Sequence, residues 1–457
     1  MPALRKYGTK RSTSSAVSSN IFGRSPPAAA GPSFVPDPLP IPSRPAAAAP
    51  RDPLSELSSN LGALVLKERG KPEYTLLPLA TFQLFPKSWG TVFSSADKLE
   101  KIAEASYAEV FRCSNASGTS ILKVMQLKVS TNPASLDEIH ASSAEMVVSE
   151  LQIMDVLTEV PGFVQLKEFH LIKGHPGAHF KKAWDAFSTI RPTEYPNPDD
   201  YTSQSVFLVI ELGDAGEVLE NKPMKQIEQV WDVLLQVIIA LARAEATNEF
   251  EHRDLHENNV CVLQASDSSL TSFNPTEYGD LKLGFSGLQI TIIDYGLSRA
   301  KLRNQKVAFN DLEQDLSLFR SYDNRENPKM QYDNYRRMRT YLTTGERTAN
   351  AVPNNTKNIN ELGHSWKEYT PYSNVLWIRY LYFYLQRDFK KHNGDKAVLK
   401  EFQEQTKELR TRMDTRTKDG AFMSAQEVLI HVVEQGWVSE EQLEERGVDS
   451  SSFLSEA

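Results

Sequence analysis

Cysteine is scarce in this chain. Its 457 residues hold two, Cys113 and Cys261, which excludes a disulfide framework and a zinc ribbon and points to a reducing compartment. Long apolar runs are missing as well. The greasiest stretch, 233–242, is ten residues long and is bracketed by Asp232 and Arg243. A membrane span needs about 18 or more, so a buried core helix fits better and no membrane partner is expected. Positive charge is in deficit, with 51 Lys+Arg against 59 Asp+Glu for a net charge of −8. That balance argues against a nucleic-acid coat protein or a sequence-specific nucleic-acid reader, and it suits a basic partner. The N-terminus has no apolar core of a secretory signal, so a soluble intracellular chain is expected.

What is present divides unevenly. Residues 1–53 hold 11 of the 25 prolines, together with alanine and serine runs. Residues 1–50 carry six basic side chains against Asp37 alone, which leaves a net charge of about −13 on the remainder. Such a segment cannot offset its chain entropy by burial and reads as a disordered basic tail. Residues 54–91 read as an N-terminal extension, and the globular pattern starts at 92. Strands are expected at 107–112 and 119–127, joined at the turn Asn115-Ala116-Ser117-Gly118, and again at 163–172 and 206–212. Helical periodicity covers 136–157 and 225–250. The expected fold class is α+β and bilobal: a strand-rich small lobe over 92–212, a larger helical lobe over 213–440 and a tail over 441–457.

The chemistry lies at the junction. Residues 252–259 read H-R-D-L-H-E-N-N. Phosphoryl transfer needs a carboxylate to orient and deprotonate the attacking hydroxyl and a nearby oxygen ligand for Mg²⁺; Asp254 and Asn259 supply both. His252 and His256 stand four apart, as zinc ligands on a helix would, but the H-E-x-x-H glutamate is missing and a β-type run follows. At 290–296 an apolar strand ends in Asp294-Tyr295-Gly296, and Asp294 is the second candidate Mg²⁺ ligand. The 40 residues between Asp254 and Asp294 leave room for an inserted hairpin or loop at 264–287. Lys123 sits in the strand I-L-K-V-M, placed to bind nucleotide phosphates. Its acidic partner is expected to be Glu145, 22 residues on, with Glu150 as the runner-up.

The phosphate loop departs from pattern. Where G-x-G-x-x-G-x-V is expected the chain reads A-E-A-S-Y-A-E-V, with alanine at 103, 105 and 108. Glycine there permits positive φ and close approach to phosphate, so Ala103 and Ala105 are the weak points for ATP, while Tyr107 and Val110 are retained. The run 206–217 reads as the crossover between lobes. Adenine contacts are expected along Glu211, Gly213, Asp214, Ala215 and Gly216, with Glu217 at the ribose and either Ile210 or Leu212 as gatekeeper.

Together these strings resemble a eukaryotic protein kinase, and within it the haspin family of histone kinases. D294-Y-G-L-S-R is close to that family's D-Y-T-L-S-R, and His256 matches the histidine after H-R-D-L. Y332-D-N-Y-R-R-M-R resembles F-D-I-Y-R-L-M-K. W366-K-E-Y-T-P-Y-S-N-V-L-W-I-R-Y-L resembles a long family string, and no A-P-E motif closes the activation segment. The resemblance spans roughly 95–390. It implies an ATP- and Mg²⁺-dependent serine/threonine kinase acting on a threonine of the histone-three N-terminal tail. It also implies a nuclear, chromosome-associated protein in mitosis that is cytoplasmic at other times. Asp254 and His256 would face the substrate and Asp333 would anchor the catalytic loop. The family's acidic G-D-G-D stretch is replaced here by a segment whose acids are Asp323 and Glu326, the candidates for holding basic substrate residues. Two alternatives stand beside this reading: a pseudokinase serving as a chromatin scaffold, suggested by the alanine loop, and a small-molecule kinase, against which the P-Y-S-N-V-L-W string argues. Between Arg299 and Ser317 there is no Ser, Thr or Tyr, so activity without loop phosphorylation is expected, with Arg253 paired to an acid or unneeded; Asp311, Glu313 and Asp315 are available.

Overall fold

The computed structural model describes residues 85–94, 97–105, 107–116, 118–128, 141–264, 279–320, 326–348, 358–439 and 441–443. The expected tail at 1–53 lies outside these, as do 54–84 and, of the tail expected at 441–457, residues 444–457.

The small lobe runs through α1 (Trp89–Val92), β1 (Lys98–Glu104), β2 (Glu109–Asn115), β3 (Gly118–Leu127), α2 (Ala144–Leu157), β4 (Leu166–Lys173), α3 (Ala178–Ile190) and β5 (Val206–Gly213). Its five strands form one antiparallel sheet in the order β1-β2-β3-β5-β4. The β2–β3 hairpin turns where Asn115-Ala116-Ser117-Gly118 predicts, with Asn115 opposite Gly118 and Gly118 at φ 129°. Strand β1 escapes the sequence reading because K-L-E-K-I-A-E is a charged edge strand with few β-formers.

Alternation along β5 shows why this sheet is covered on both faces. Leu208 and Ile210 face the core under α2, while Phe207 and Val209 face a second cluster with Trp89, Phe111 and Phe180. Trp89 meets Phe180 and Phe207 edge-on at 4.5 and 5.1 Å. Residues 85–91 therefore belong to the small lobe: Lys87 pairs with Ile172 and the Trp89 indole donates to Gly174 O at 2.9 Å. Helix α3 was not foreseen; it fills the connection between two strands that pair directly. Helix α2 starts at Ala144 rather than 136, where the Ser143 side chain accepts from Met146 N; 129–140 lie outside the described residues.

The large lobe carries β6 (Glu217–Val218), α4 (Ile227–Asn248), β7 (Val260–Gln264), β8 (Leu288–Ile292), β9 (Arg299–Lys301), β10 (Val307–Phe309), α5 (Ser317–Arg320), α6 (Glu326–Thr344), α7 (Tyr372–His392), α8 (Lys396–Gln405), α9 (Lys407–Arg412) and α10 (Ala425–Glu434). Helix α4 is the expected core helix, buried along most of its length and ended by Glu249 in the left-handed region at φ 43°. Each of its fully buried Leu, Ile and Val side chains contributes about 1.5–3 kcal/mol. No helix among the described residues is long and apolar enough to cross a membrane. Asp232 on α4 accepts from Gly284 N at 2.5 Å and Ser286 N at 2.8 Å, which fixes the end of the inserted segment; 265–278 lie outside the described residues.

Candidate active site

The two lobes meet at Lys123. Its ammonium lies 2.5 Å from Glu150 Oε1 and 3.4 Å from Asp294 Oδ1. The partner is thus Glu150 and not Glu145. Helix α2 begins one residue before Glu145, which is exposed in the first turn, whereas Glu150 shares the buried face with Val147, Leu151 and Met154. Burial opposes every charge here. Asp294 and Glu150 nevertheless raise the Lys123 ammonium above its ordinary value, and Lys123 holds the Asp294 carboxyl below the usual carboxylate range. Glu150→Gln is expected to lower kcat/KM for ATP about ten- to hundredfold, since a hydrogen bond to a charged group contributes about 1.5–3 kcal/mol; Glu145→Gln should stay within about twofold. Steady-state kinetics of the two variants check this, and equal losses would restore Glu145.

Asp254, Asn259 and Asp294 converge as the motifs predict. The Asn259 amide donates from Nδ2 to Asp254 O at 2.8 Å, which leaves its Oδ1 for a cation. Asp294 takes φ 63° and accepts from Gly296 N at 3.3 Å through Oδ1, leaving Oδ2. Two such oxygens suit Mg²⁺, which is held by one or two protein ligands plus phosphate oxygens and water and needs no all-protein cage. Tyr295 stands where phenylalanine is usual. Its hydroxyl donates to Ile292 O at 3.0 Å and accepts from Val164 N at 3.3 Å, so the extra polar atom is satisfied in the core.

Burial pushes the Asp254 carboxyl well above its ordinary value, while hydrogen bonds from Tyr335 and Gln331 work the other way. His252 and His256 are drawn down to about 4 by burial, so both are neutral at pH 7. His256 Nε2 lies 3.7 Å from Asp254 Oδ1. Asp323 lies outside the described residues, and Glu326 opens α6.

The catalytic loop is not anchored as the sequence suggested. Asn374 Oδ1 accepts from His252 N at 3.1 Å, and its Nδ2 donates to Phe250 O and Glu245 Oε1; Asp333 pairs with Arg336 at 2.6 Å. Asn374 lies within the string P-Y-S-N-V-L-W, at the start of a buried helix, and that placement is the signal it offered. Arg253, at φ 65°, makes a double contact with Glu251, at 3.2 and 3.1 Å. Its acid is thus two residues upstream and not in the activation segment, where Glu313 takes Arg339 instead.

The alanine loop fits its place. Neither Ala103 nor Ala105 nor Ala108 has positive φ, so the conformation that alanine resists is not used. Ala105 N donates to Ala108 O at 2.8 Å across the turn, and Tyr107 is exposed at its tip. From outside, Tyr195 OH donates to Ala105 O at 2.9 Å, and buried Lys101 pairs with Glu104 and Glu109. In the crossover, Ile210 lies directly opposite Lys123 and Leu212 opposite Ile121, so of the two gatekeeper candidates Ile210 is the one in register with the lysine. Gly216, at φ 85°, lies against β7 so closely that a Cβ would come within 2.4 Å of Val262 O. Beyond it Glu217 is exposed and pairs with Lys222 at 3.6 Å; Asp214 pairs with Arg112 at 3.5 Å. Glu211, Gly213 and Ala215 complete this edge, and Val110 lies opposite Lys123 on β2.

Residues 87–431 match the family model described as Haspin like kinase domain. The serine/threonine-protein kinase haspin homolog of Drosophila melanogaster is 28% identical over 342 residues, covering 72% of this chain and 56% of the fly protein. The haspin homolog of Schizosaccharomyces pombe is 29% identical over 306 residues, or 64% of this chain and 55% of the yeast protein. The haspin of Bos taurus is 30% identical over 315 residues, or 66% of this chain and 37% of the bovine one. The match thus spans about half or less of each relative. With the lysine, its glutamate, the catalytic-loop aspartate and both candidate cation ligands in place, and three quarters of the chain matched, this protein belongs to the haspin kinase family.

Proposed function

We propose that the chain is an ATP- and Mg²⁺-dependent serine/threonine protein kinase whose substrate is a threonine of the histone-three N-terminal tail, and that it works on mitotic chromosomes in the nucleus. The observation that carries this reading is the closed Lys123–Glu150 pair with Asp294 beside it, the arrangement a protein kinase needs to be competent. Mg-ATP supplies the transferable phosphoryl group when bound. Lys123 would hold its non-transferred phosphates, and Asn259 and Asp294 would hold the cation. Asp254 orients the threonine hydroxyl and accepts its proton as the oxygen attacks. The net charge of −8 favours the approach of a basic tail. The scaffold alternative drew on the alanine loop, whose alanines sit at φ values that suit them.

The test is transfer of labelled phosphate from Mg-ATP to a histone-three tail peptide, with a scrambled peptide of equal charge as comparison and the modified residue mapped. Labelling of a tail threonine, well above the scrambled peptide, is expected. Equal labelling of both would retain the kinase and remove the histone specificity. No labelling of any basic protein would move the reading to the scaffold.

A further inference from the structure

Asp254 has an unusual set of neighbours. Among the described residues no lysine or arginine makes an ion pair with it, and its one charged-type contact is His256, which is neutral at pH 7. What reaches the carboxylate comes from α6. The Tyr335 hydroxyl donates to Asp254 Oδ1, and Gln331 Nε2 donates to that same hydroxyl at 3.1 Å from one helical turn earlier. A phenol has one proton to give, so Tyr335 donates to Asp254 and accepts from Gln331, whose amide also acts on the carboxyl itself. The ring cannot wander. Tyr335 is fully buried, edge-on to Trp377 at 5.5 Å, and the neighbouring Asn334 amide ties α6 to Leu376 O at 3.1 Å.

We propose that Tyr335, backed by Gln331, is a positioning residue for phosphoryl transfer: its hydroxyl holds the Asp254 carboxylate by Oδ1 and so aims it at the substrate hydroxyl. This rests on the kinase reading above. The two neutral side chains do here what a cation beside the carboxylate would do, with no charge of their own to repel a basic substrate.

The test variant is Tyr335→Phe, which keeps the ring among its aromatic neighbours. At pH 7 kcat should fall about tenfold, on the scale of one hydrogen bond to a charged group, and KM for ATP should be unchanged. Gln331→Leu should show the same split at smaller size. In an Asp254→Asn background, where no carboxylate remains to be aimed, the loss on Tyr335→Phe should shrink to within about twofold, whereas a purely structural role would lower kcat by the same factor in both backgrounds. Equal losses in the two backgrounds, or a Tyr335→Phe kcat equal to wild type, overturn the Tyr335 role alone. A wild type that transfers no phosphate overturns the kinase reading as well.

Discussion

Asp254→Asn is expected to lose about a hundred- to ten-thousandfold in kcat while its fold is kept or made more stable. The loss follows from chemistry: an amide can still accept the Tyr335 hydrogen bond through its oxygen, but it cannot take the proton of the attacking hydroxyl. The stability effect follows from linkage. Burial raises the folded-state pKa of Asp254, so the folded chain binds its proton more tightly than the unfolded chain does. Stability from this group is then full below the unfolded pKa and declines as pH rises through the folded one; above it the ionised carboxylate is a cost, which asparagine removes. Parallel measurement of kcat and melting temperature at pH 7 checks both halves. An inactive variant that also melts well below wild type would mean that the residue matters to folding and that the kinetic loss says nothing about a base.

Glu251→Ala is expected to cost about 3–5 kcal/mol of stability, a fall in melting temperature on the order of 10 °C. Glu251 and Arg253 are both 1% exposed. The carboxylate also takes Thr370 N at 2.7 Å and the Ser373 hydroxyl at 2.9 Å, at the start of α7. Removing the acid leaves a guanidinium buried without a counter-charge and frees the Thr370 N–H and the Ser373 hydroxyl as well. Replacing both members by apolar side chains, Glu251→Leu with Arg253→Met, should recover much of the loss, because the penalty lies in the orphaned charge. Thermal melts of the single and double variants test this, and a single variant as stable as wild type would sink it. The same pair bears on regulation: an arginine already neutralised by its own loop has no use for an activation-segment phosphate. Phosphatase treatment should leave activity unchanged, and loss of activity would show that another site is modified.

The strings with fixed spacing, H-R-D-L-H-E-N-N and Asp294-Tyr295-Gly296, were legible because their chemistry is local. A carboxylate, an amide and a second carboxylate at the ends of apolar runs are read from order alone. The same holds for the β2–β3 hairpin, whose turn residues lie within the turn, and for α4, whose burial shows in its composition. The partners of these groups were not legible. Glu145 and Glu150 are equally acidic and lie on one helix; the residue at which α2 begins, and so which side of the helix meets Lys123, decides between them. Asp333 and Asn374 were separable only once α7 was seen to deliver an amide to the loop backbone. Tyr335 and Tyr195 reach Asp254 and Ala105 across 81 and 90 residues, and hydroxyls at such separations carry no mark in a sequence. Sequence by itself determined which groups react, since reactivity belongs to the residue type. Tertiary structure decided which groups hold them in place, since a hydrogen bond depends on where two distant segments are brought together.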